Sequence, residues 1–344
     1  MTIRQLAKRA VKKHCEAMLR LLSAPIKRTE WYHNLIIDPD EAPYPTEAWI
    51  KSHHEDRNYD IVNLGSRQAK WAFDYSGLAI KGMNWAQRPQ LISRDYCILQ
   101  AYHRILAKGG VVLIHISYFS GLKADYGLGD YIRYSKIIPL ALMPKAAVAH
   151  MTRLLNYPIL YGKQAIKATL REFLGRKPKH VEPKGADMDI CTLSELEMEQ
   201  DAERWISGWK RQFGITDLDA PLSESNRDAR RYKFGLLHEM VKFCRERGYR
   251  PVFVLPPASR HLDKRLSSKF KENYVYSLLR EIAPKVEFLD YTKSKDFEDD
   301  DLYFNSFFLN KRGRRLFTQR VVRDLGINSD ATLFEDQKTP KNGK

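Results

Sequence analysis

The residues of this chain that could do chemistry follow short apolar segments. Residues 61–64 form a largely apolar, β-branched run that stops at Gly65, and Ser66 and Arg67 come next. This pattern predicts a buried strand that ends in a tight turn. In an open α/β sheet, ligands bind outside the carboxyl ends of the strands. We therefore expect the turn at 65–67 to line a binding or catalytic site.

Two further segments carry polar residues to the same edge of the predicted sheet. Gly82 and Asn84 form a turn after a short strand predicted at 78–81, and an asparagine amide can donate hydrogen bonds to a ligand. His261 follows the strand predicted at 251–255, and histidine is the most frequent general base. The chain therefore presents three loops whose side chains could form one site.

Each candidate also has an interpretation that involves no ligand. Ser66 either attacks an acyl group or caps a helix and bonds the backbone. Arg67 either binds an anion or points into solvent. His261 is a better candidate for a base than His115, because His115 lies within a strand. The acidic run at 299–301 is interpreted as exposed surface, and we predict no metal site.

Composition narrows the choice of partners. The chain has 344 residues, 43% of them hydrophobic and 29% charged, which is enough for a sizeable core. A formal charge of +16 suits an anionic partner, such as nucleic acid, an acidic glycan or an anionic membrane face. A basic surface without any such partner is equally consistent with this charge. Nucleic acid is disfavoured because the basic residues are spread along the chain and form no recognised binding motif.

Cysteine spacing and hydropathy predict a cytoplasmic protein. Cys15, Cys97, Cys191 and Cys244 form no CxxC pair, so we expect reduced thiols, no disulfide framework and no cofactor. The sequence contains no run of about 18 apolar residues that could span a membrane. Residues 1–26 predict a basic amphipathic helix, which either packs on the protein or lies on the inner membrane face.

The alternation of strands and helices predicts an α/β fold with a three-layer α/β/α sandwich and a five-stranded parallel sheet. The predicted strands are 59–64, 78–81, 111–116, 251–255 and 286–290. Predicted helices include 91–106, which ends at Gly109-Gly110, one that begins at an Asn226 N-cap, 267–282 and 311–325. The predicted parts are an N-terminal helix and linker (1–50), a sheet domain (51–121 and 221–328), a mostly helical insertion (122–220) and a loose tail (329–344).

Six short motifs, in this order, resemble those of the SGNH (GDSL-like) hydrolase superfamily. They are Val62-Asn-Leu-Gly-Ser66, Gly82-Met-Asn84, Ile116-Ser-Tyr-Phe-Ser120, Pro251-Val-Phe-Val-Leu-Pro-Pro257, Leu302-Tyr-Phe304 and Leu309-Asn-Lys-Arg-Gly313. The branch to which the chain is similar contains proteins of bacterial capsule and exopolysaccharide loci and the D-alanyl transfer protein of teichoic acid synthesis. The resemblance covers most of 58–120 and 226–326 and implies an SGNH/flavodoxin-like sheet.

The resemblance also implies a site and its chemistry. In this superfamily a serine at the first turn attacks an ester carbonyl, a histidine takes its proton, and an aspartate three residues before the histidine orients it. A glycine and an asparagine, here Gly82 and Asn84, donate to the oxyanion. In this chain the nucleophile position falls on Arg67, and the aspartate and histidine positions fall on Asn305 and Phe308.

The residues at these three positions do not support the superfamily's reaction. Arginine stays protonated and phenylalanine accepts no proton. We therefore expect a catalytically degenerate protein of bacterial surface-polysaccharide synthesis or modification, which binds a glycan, an acylated polysaccharide precursor or a biosynthetic partner. The alternative is an active esterase or O-acyltransferase in which Ser66 and His261 substitute for the lost residues.

Overall fold

The structure is a computed structural model, and it describes most of the chain. The described residues are 3–33, 58–87, 90–119, 122, 131–132, 134, 137–175, 193–282 and 286–327, with the backbone alone for 3–10. Several predictions lie outside the described residues, namely those for the tail 329–344, for Cys191 and for the linker that ends the segment 1–50.

Within the described residues, five parallel strands form a sheet in the order β2-β1-β3-β4-β5. The strands are β1 (Tyr59–Asn63), β2 (Gly82–Asn84), β3 (Leu106–His115), β4 (Arg250–Leu255) and β5 (Glu287–Asp290). This confirms the predicted five-stranded parallel sheet. The order reverses between β1 and β3, so the crevice at which such sheets bind ligands lies at the carboxyl ends of these two strands.

Helices cover both faces of this sheet. Side chains alternate between the two faces along a strand, yet Val111, Val112, Leu113 and Ile114 of β3 are all 3% exposed or less. Burial on both sides is typical of a parallel sheet that lies between two layers of helices. The fold is the predicted three-layer α/β/α sandwich.

The helices separate the strands in the predicted alternation. In chain order they are α1 (Ile3–Ser23), α2 (Glu30–His33), α3 (Arg67–Lys70), α4 (Ile92–Tyr102), α5 (Lys145–Asn156), α6 (Lys163–Phe173), α7 (Glu195–Phe213), α8 (Glu224–Glu246), α9 (Arg260–Asp263), α10 (Ser268–Lys271), α11 (Ser277–Ile282) and α12 (Lys311–Asp324). A π-helical turn at Glu272–Tyr276 joins α10 to α11. The predicted N-terminal and C-terminal helices are confirmed by α1 and α12.

The second strand lies later in the chain than predicted. Residues 78–80 are bends, and the strand is Gly82–Asn84, the segment that we predicted as a turn. A Cβ at position 82 would collide with the ring of Tyr75, so glycine lets β2 pass close to this ring. The apolar run at 78–80 has only three residues, and so short a pattern does not distinguish a strand from a turn. The predicted second strand was therefore placed too early in the chain.

Strand β3 begins earlier than predicted. Gly109-Gly110 does not end the preceding helix, because α4 stops at Tyr102 and β3 starts at Leu106. The register between β1 and β3 shifts in this region, where Tyr59 pairs with Leu106 but Ile61 pairs with Val111. Over this stretch β3 therefore has more residues than β1. Gly109, whose φ is +79°, is one of these extra residues.

The N-cap of helix α8 lies three residues before the one that we predicted. Ser223 is the cap, and its Oγ accepts the N–H of Asn226 (3.2 Å). The Asn226 side chain instead donates to the backbone oxygens of Leu122 (2.7 Å) and Phe213 (3.0 Å). The prediction of Asn226 as the cap is therefore wrong, because distant carbonyl groups use its amide.

The chain divides into two compact units. The sheet unit contains residues 56–95, 104–124 and 188–344, and the other unit contains 1–55, 96–103 and 125–187. We call the other unit the helical unit, because its described residues include the helices α1, α2, α5 and α6. Helix α7, which falls within the predicted insertion 122–220, belongs to the sheet unit.

Asn310 and Gly313 anchor the last helix to the loop that precedes it. Asn310 caps α12, with its Oδ1 accepting the N–H of Gly313 (2.9 Å) and its Nδ2 donating to the backbone oxygen of Asp301 (2.7 Å). A Cβ on Gly313 would collide with the carbonyl oxygen of Leu302. Backbone packing therefore explains why asparagine and glycine occur three residues apart here.

We predict that Gly313→Ala lowers the free energy of unfolding by about 1–3 kcal/mol, because the new methyl group meets backbone atoms that cannot move aside. The matched control is Gly235→Ala in α8, where nothing lies within 4 Å of the added Cβ. There the change should raise the free energy of unfolding by up to about 1 kcal/mol. Urea denaturation measures both values, and equal effects at the two positions would contradict the close approach at Gly313.

Candidate functional site

Two residues that the superfamily resemblance assigns to the nucleophile and base positions are in contact. Arg67 is the first residue of α3, directly after the β1 turn, and Phe308 lies in the loop before α12. The guanidinium carbon of Arg67 lies 4.9 Å from the centroid of the Phe308 ring. This is a cation–π arrangement between residues 241 positions apart in the sequence. The fold therefore brings these two predicted site residues together.

Phe308 belongs to a group of packed rings that we call the aromatic cluster. Its members are Phe119, Trp205, Trp209, Phe213, Phe270, Phe307 and Phe308. Trp205 from α7 meets Phe308 edge to face, with 5.5 Å between centroids and 83° between planes. Phe308 is only 2% exposed, so the Arg67 guanidinium borders a buried group of apolar rings where it meets Phe308.

Asn305, at the aspartate position, bonds its own loop. Its Oδ1 accepts the N–H groups of Phe307 (3.0 Å) and Phe308 (2.9 Å). These short-range bonds hold the loop in shape, and they use the oxygen that in an Asp-x-x-His arrangement would face a histidine. The structure thus gives Asn305 a structural role in the turn.

Asp201 in α7, which sequence analysis missed, fastens the same loop. The Asp201 carboxylate accepts Ser306 Oγ–H (2.6 Å), Ser306 N–H (3.1 Å) and the indole N–H of Trp205 (3.1 Å), and it also pairs with Arg204. Asp201 is 6% exposed, and a buried carboxylate needs such donors. The available signal was the i, i+4 spacing of Asp201 and Trp205 on a helix, which does not identify the distant serine.

Ser66 precedes α3 and makes no bond to a histidine among the described residues. Its side-chain oxygen accepts the backbone N–H of Gln90 (3.2 Å). Although Ser66 occupies the N-cap position of α3, its side chain makes no capping hydrogen bond. The residue therefore links the β1 turn to the segment before α4.

Asn84 and Gly82 occupy different levels of the sheet. Asn84 pairs with Asn63 at the end of β1, whereas Gly82 pairs with Ile61 in its interior. The Asn84 amide donates to the backbone oxygens of Lys70 (3.2 Å) and Phe73 (3.1 Å), while its oxygen accepts from Asn63 Nδ2 (2.8 Å). Donation to an oxyanion would require this amide to give up one of its present partners.

His261 is buried in an ionic network and not in contact with Ser66. Its Nδ1 faces Glu199 Oε1 (2.5 Å), and its Nε2 faces Asp300 Oδ2 (2.9 Å). Hydrogen bonds from Lys264, His261 and Arg265 lower the pKa of Glu199 to about 2, so this carboxylate is ionised at neutral pH. Both ring nitrogens already have carboxylate partners, and service as a base for a serine would require one of these contacts to break.

A buried polar group at the switch point of the sheet was also missed. Asp95 Oδ1 accepts the N–H of Gly65 (2.8 Å) and the side-chain amide of Gln90 (2.5 Å). Burial raises the pKa of Asp95 to about 7, against the opposing effect of these two hydrogen bonds. The sequence shows Asp95 only as an acid in the first turn of a helix, a position that usually indicates interaction with the helix dipole.

His115 ends β3 beside this group. Its Nε2 lies 3.1 Å from Gln68 Oε1 in α3. Burial, with a smaller contribution from the charge of Lys233, lowers the pKa of His115 to about 3, so its imidazole is neutral at physiological pH. A neutral, buried imidazole bonded to an amide supports packing at the strand end and carries no charge to a ligand.

No protein-family model matches the chain, and no curated protein sequence matches it. In the part of the chain that the structure describes, no group of three or more His, Cys, Asp and Glu side chains could hold a metal ion.

We predict that Asp95 makes stability fall as pH rises from about 4 to 7. An unfolded aspartate has a pKa of about 3.9, so between the two values the folded state binds more protons than the unfolded state. Asp95→Asn keeps a carbonyl oxygen for Gly65 and Gln90 but cannot ionise. The parent should therefore lose about 1–4 kcal/mol relative to Asp95→Asn across this range.

Urea denaturation at several pH values measures this difference. Asp228→Asn is the control, because the Asp228 side chain is 62% exposed and should leave the slope with pH unchanged. A parent-minus-variant difference for Asp95→Asn that stays constant with pH would contradict the assignment of a raised pKa to this carboxyl group.

Proposed function

We propose that this chain is a catalytically inactive protein of SGNH-like fold that binds a glycan or a biosynthetic partner in bacterial surface-polysaccharide synthesis. The observation that carries this proposal is the contact between Arg67 and Phe308 at 4.9 Å. In an active relative, a serine and a histidine at these two positions would exchange a proton. Here they meet as a cation and an aromatic ring, and neither can take part in acyl transfer.

The residues around this contact support the loss of catalysis. Asn305 spends its side-chain oxygen on two backbone N–H groups of its own loop. The Gly65 N–H of the same turn already donates to Asp95, and the Asn84 amide donates to the backbone oxygens of Lys70 and Phe73. An oxyanion hole needs donors that are free and aimed at the developing charge. Both Gly65 and Asn84 instead stabilise the turn and the sheet edge.

A basic chain with a formal charge of +16 favours an anionic partner such as an acidic glycan, and Arg67 supplies a cation at the sheet edge. Ligands of parallel α/β sheets bind at the switch point, which here lies between the ends of β1 and β3. The proposed binding region therefore includes the neighbourhood of Ser66 and Arg67. We propose a location in the cytoplasm at the inner membrane face.

We predict that the purified protein hydrolyses para-nitrophenyl acetate and an acetylated glycan no faster than its Ser66→Ala variant. Among the described residues, Ser66 Oγ makes no hydrogen bond to a histidine or a carboxylate, and a serine hydroxyl without a base is a weak nucleophile at neutral pH. Residual acceleration of roughly a thousandfold over water could persist from binding alone, so the comparison with the variant decides.

The same assay tests the alternative of an active esterase or O-acyltransferase. His261→Asn is included with Ser66→Ala, and circular dichroism confirms that each variant is folded. Turnover at ordinary enzymatic rates, abolished by either change, would overturn the proposed inactivity and favour the alternative.

A second prediction tests the assignment of the three positions. The triple variant Arg67→Ser, Asn305→Asp and Phe308→His restores the residue types of an acyl-transfer triad at positions that the fold brings together. We expect it to react with a fluorophosphonate probe, which labels activated serines, at the new side chain of position 67.

The control for this prediction moves the histidine by one residue. In that variant, Phe307→His replaces Phe308→His, which keeps the composition but misplaces the base within the aromatic cluster. Labelling of the first triple variant and not of the second supports the assignment. Absence of labelling in a folded first variant, or equal labelling of the two, would contradict it.

A further inference from the structure

Helix α6, in the helical unit, presents a continuous apolar face to solvent. Ile166, Leu170, Phe173 and Leu174 are 46%, 56%, 91% and 65% exposed. Their spacing of i, i+4, i+7 and i+8 places all four on one side of the helix. Scattered single apolar residues on a surface are ordinary, but a contiguous group that includes an exposed phenylalanine indicates an interaction site.

The opposite side of α6 is fastened to its own unit. Ala165 is fully buried. The Glu172 carboxylate accepts the N–H of Glu30 through both oxygens (2.9 and 3.0 Å) at the start of α2. This anchoring fixes the rotation of the helix, so the outward direction of its apolar face is set by packing.

Cations adjoin this face. Lys163, Lys167 and Arg171 are exposed and follow one another at i, i+4 and i+8, which forms a second stripe on the outward side. The acid of α6, Glu172, lies on the anchored side and is used by Glu30. The outward surface of α6 therefore combines large apolar side chains with positive charge and has no carboxylate of its own.

Helix α1, in the same unit, adds similar residues. Met18, Leu21 and Leu22 near its end are 57%, 77% and 46% exposed. The next residue, Ser23, is buried and accepts the N–H of Ile159 (3.4 Å), which lies in the segment just before α6. The end of α1 is thereby held close in space to the segment that leads into α6.

Positive charge is concentrated in this part of the sequence. Residues 1–33 and 137–175 contain thirteen lysines and arginines but three carboxylates, Glu16, Glu30 and Glu172. These 72 residues are about a fifth of the chain, yet they carry ten of its sixteen net positive charges. Ten of the sixteen net positive charges therefore lie in the two stretches of sequence that contain α1 and α6.

We propose that the outward face of α6, with the end of α1, docks on the surface of an anionic phospholipid membrane. A helix with an apolar face that is flanked by lysines and arginines lies in the plane of such an interface. The apolar side chains enter the boundary between headgroups and acyl chains, and the lysine and arginine stems extend their charges to the phosphates. None of the helices among the described residues is long and apolar enough to cross a bilayer.

This proposal does not depend on the proposed function at the sheet edge, because its residues belong to the other unit. It extends the predicted association of the N-terminal helix to a second element, α6. An anionic bilayer is favoured over a protein partner because cations border the apolar side chains along the length of α6, which suits a uniform sheet of phosphates.

Co-sedimentation of the full chain with vesicles tests the proposal. One set of vesicles contains phosphatidylcholine alone, and the other contains phosphatidylcholine with phosphatidylglycerol. The parent should bind the anionic vesicles at least about tenfold more tightly, and binding should weaken as salt rises from about 0.05 to 0.5 M.

Two variants of α6 separate the apolar from the ionic contribution. Ile166→Ser with Leu170→Ser and Phe173→Ser removes the apolar face, and it should lower the affinity for anionic vesicles by about tenfold or more. Lys163→Gln with Lys167→Gln and Arg171→Gln removes the adjoining charges and should produce a loss of similar size.

Each variant has a matched control in the sheet unit. Leu196→Ser with Tyr232→Ser and Leu316→Ser removes three apolar side chains that are 67%, 48% and 37% exposed. Arg231→Gln with Lys242→Gln and Lys269→Gln changes the net charge by the same amount at exposed positions. Neither control should alter vesicle binding by more than about twofold.

A loss of affinity for anionic vesicles that is confined to the α6 variants supports the proposal. A loss of affinity in the variant Met18→Ser with Leu21→Ser and Leu22→Ser would show that the end of α1 also belongs to the docking surface. Equal losses in the α6 variants and the sheet-unit controls would show nonspecific adsorption and overturn it. Absence of binding to anionic vesicles by the folded parent would also overturn it and would leave a protein partner as the occupant of this face.

Discussion

The close approach of β1 and β3 at Gly65 sets the geometry of the whole carboxyl edge. Gly65 has a φ of +134°, and a Cβ there would lie 2.6 Å from Cβ of His115 and 2.7 Å from Cβ of Ala69. Only glycine tolerates both this backbone conformation and this crowding. The turn is further held by its N–H bond to Asp95 and by its carbonyl, which accepts the N–H of Gln87 (3.2 Å). Helix α3 starts directly after this turn, and its first residue, Arg67, is thereby placed against Phe308.

The loop before α12, which carries Asn305 and Phe308, is held in place by hydrogen bonds to protein groups. Asp201 in α7 receives Ser306 and Trp205, and Asn305 receives two N–H groups of its own loop. Removing one partner from such a buried network leaves the others unsatisfied, which costs more than the net value of one hydrogen bond. The aromatic cluster then covers Phe308. A catalytic loop needs polar groups that are free to exchange protons, whereas this loop uses its polar groups for its own structure.

Several features of the fold could be read from the sequence because they depend on local pattern. The apolar runs of β1, β3, β4 and β5 and the alternation with helices predict a parallel sheet without knowledge of contacts. The errors fall where tertiary contacts decide, as with Asn226, whose amide is used by Leu122 and Phe213, and with Gly82, which passes beside Tyr75. For the candidate site, the motif order predicted that Arg67, Asn305 and Phe308 occupy the nucleophile, aspartate and histidine positions of one site. It did not indicate Asp95 or Asp201, whose partners are distant in the sequence.

The sequence by itself determined the fold class, the order of strands and helices, and the basic and apolar composition of α1 and α6, because periodicity and charge are properties of the chain alone. The tertiary structure decided which polar groups are occupied. His261 qualified as a base by residue type, but the fold places a carboxylate at each of its ring nitrogens. Asp95 looked like an ordinary helix acid, but burial moves its pKa to about 7. Burial and hydrogen bonding between distant segments set these properties, and residue type and spacing do not encode them locally.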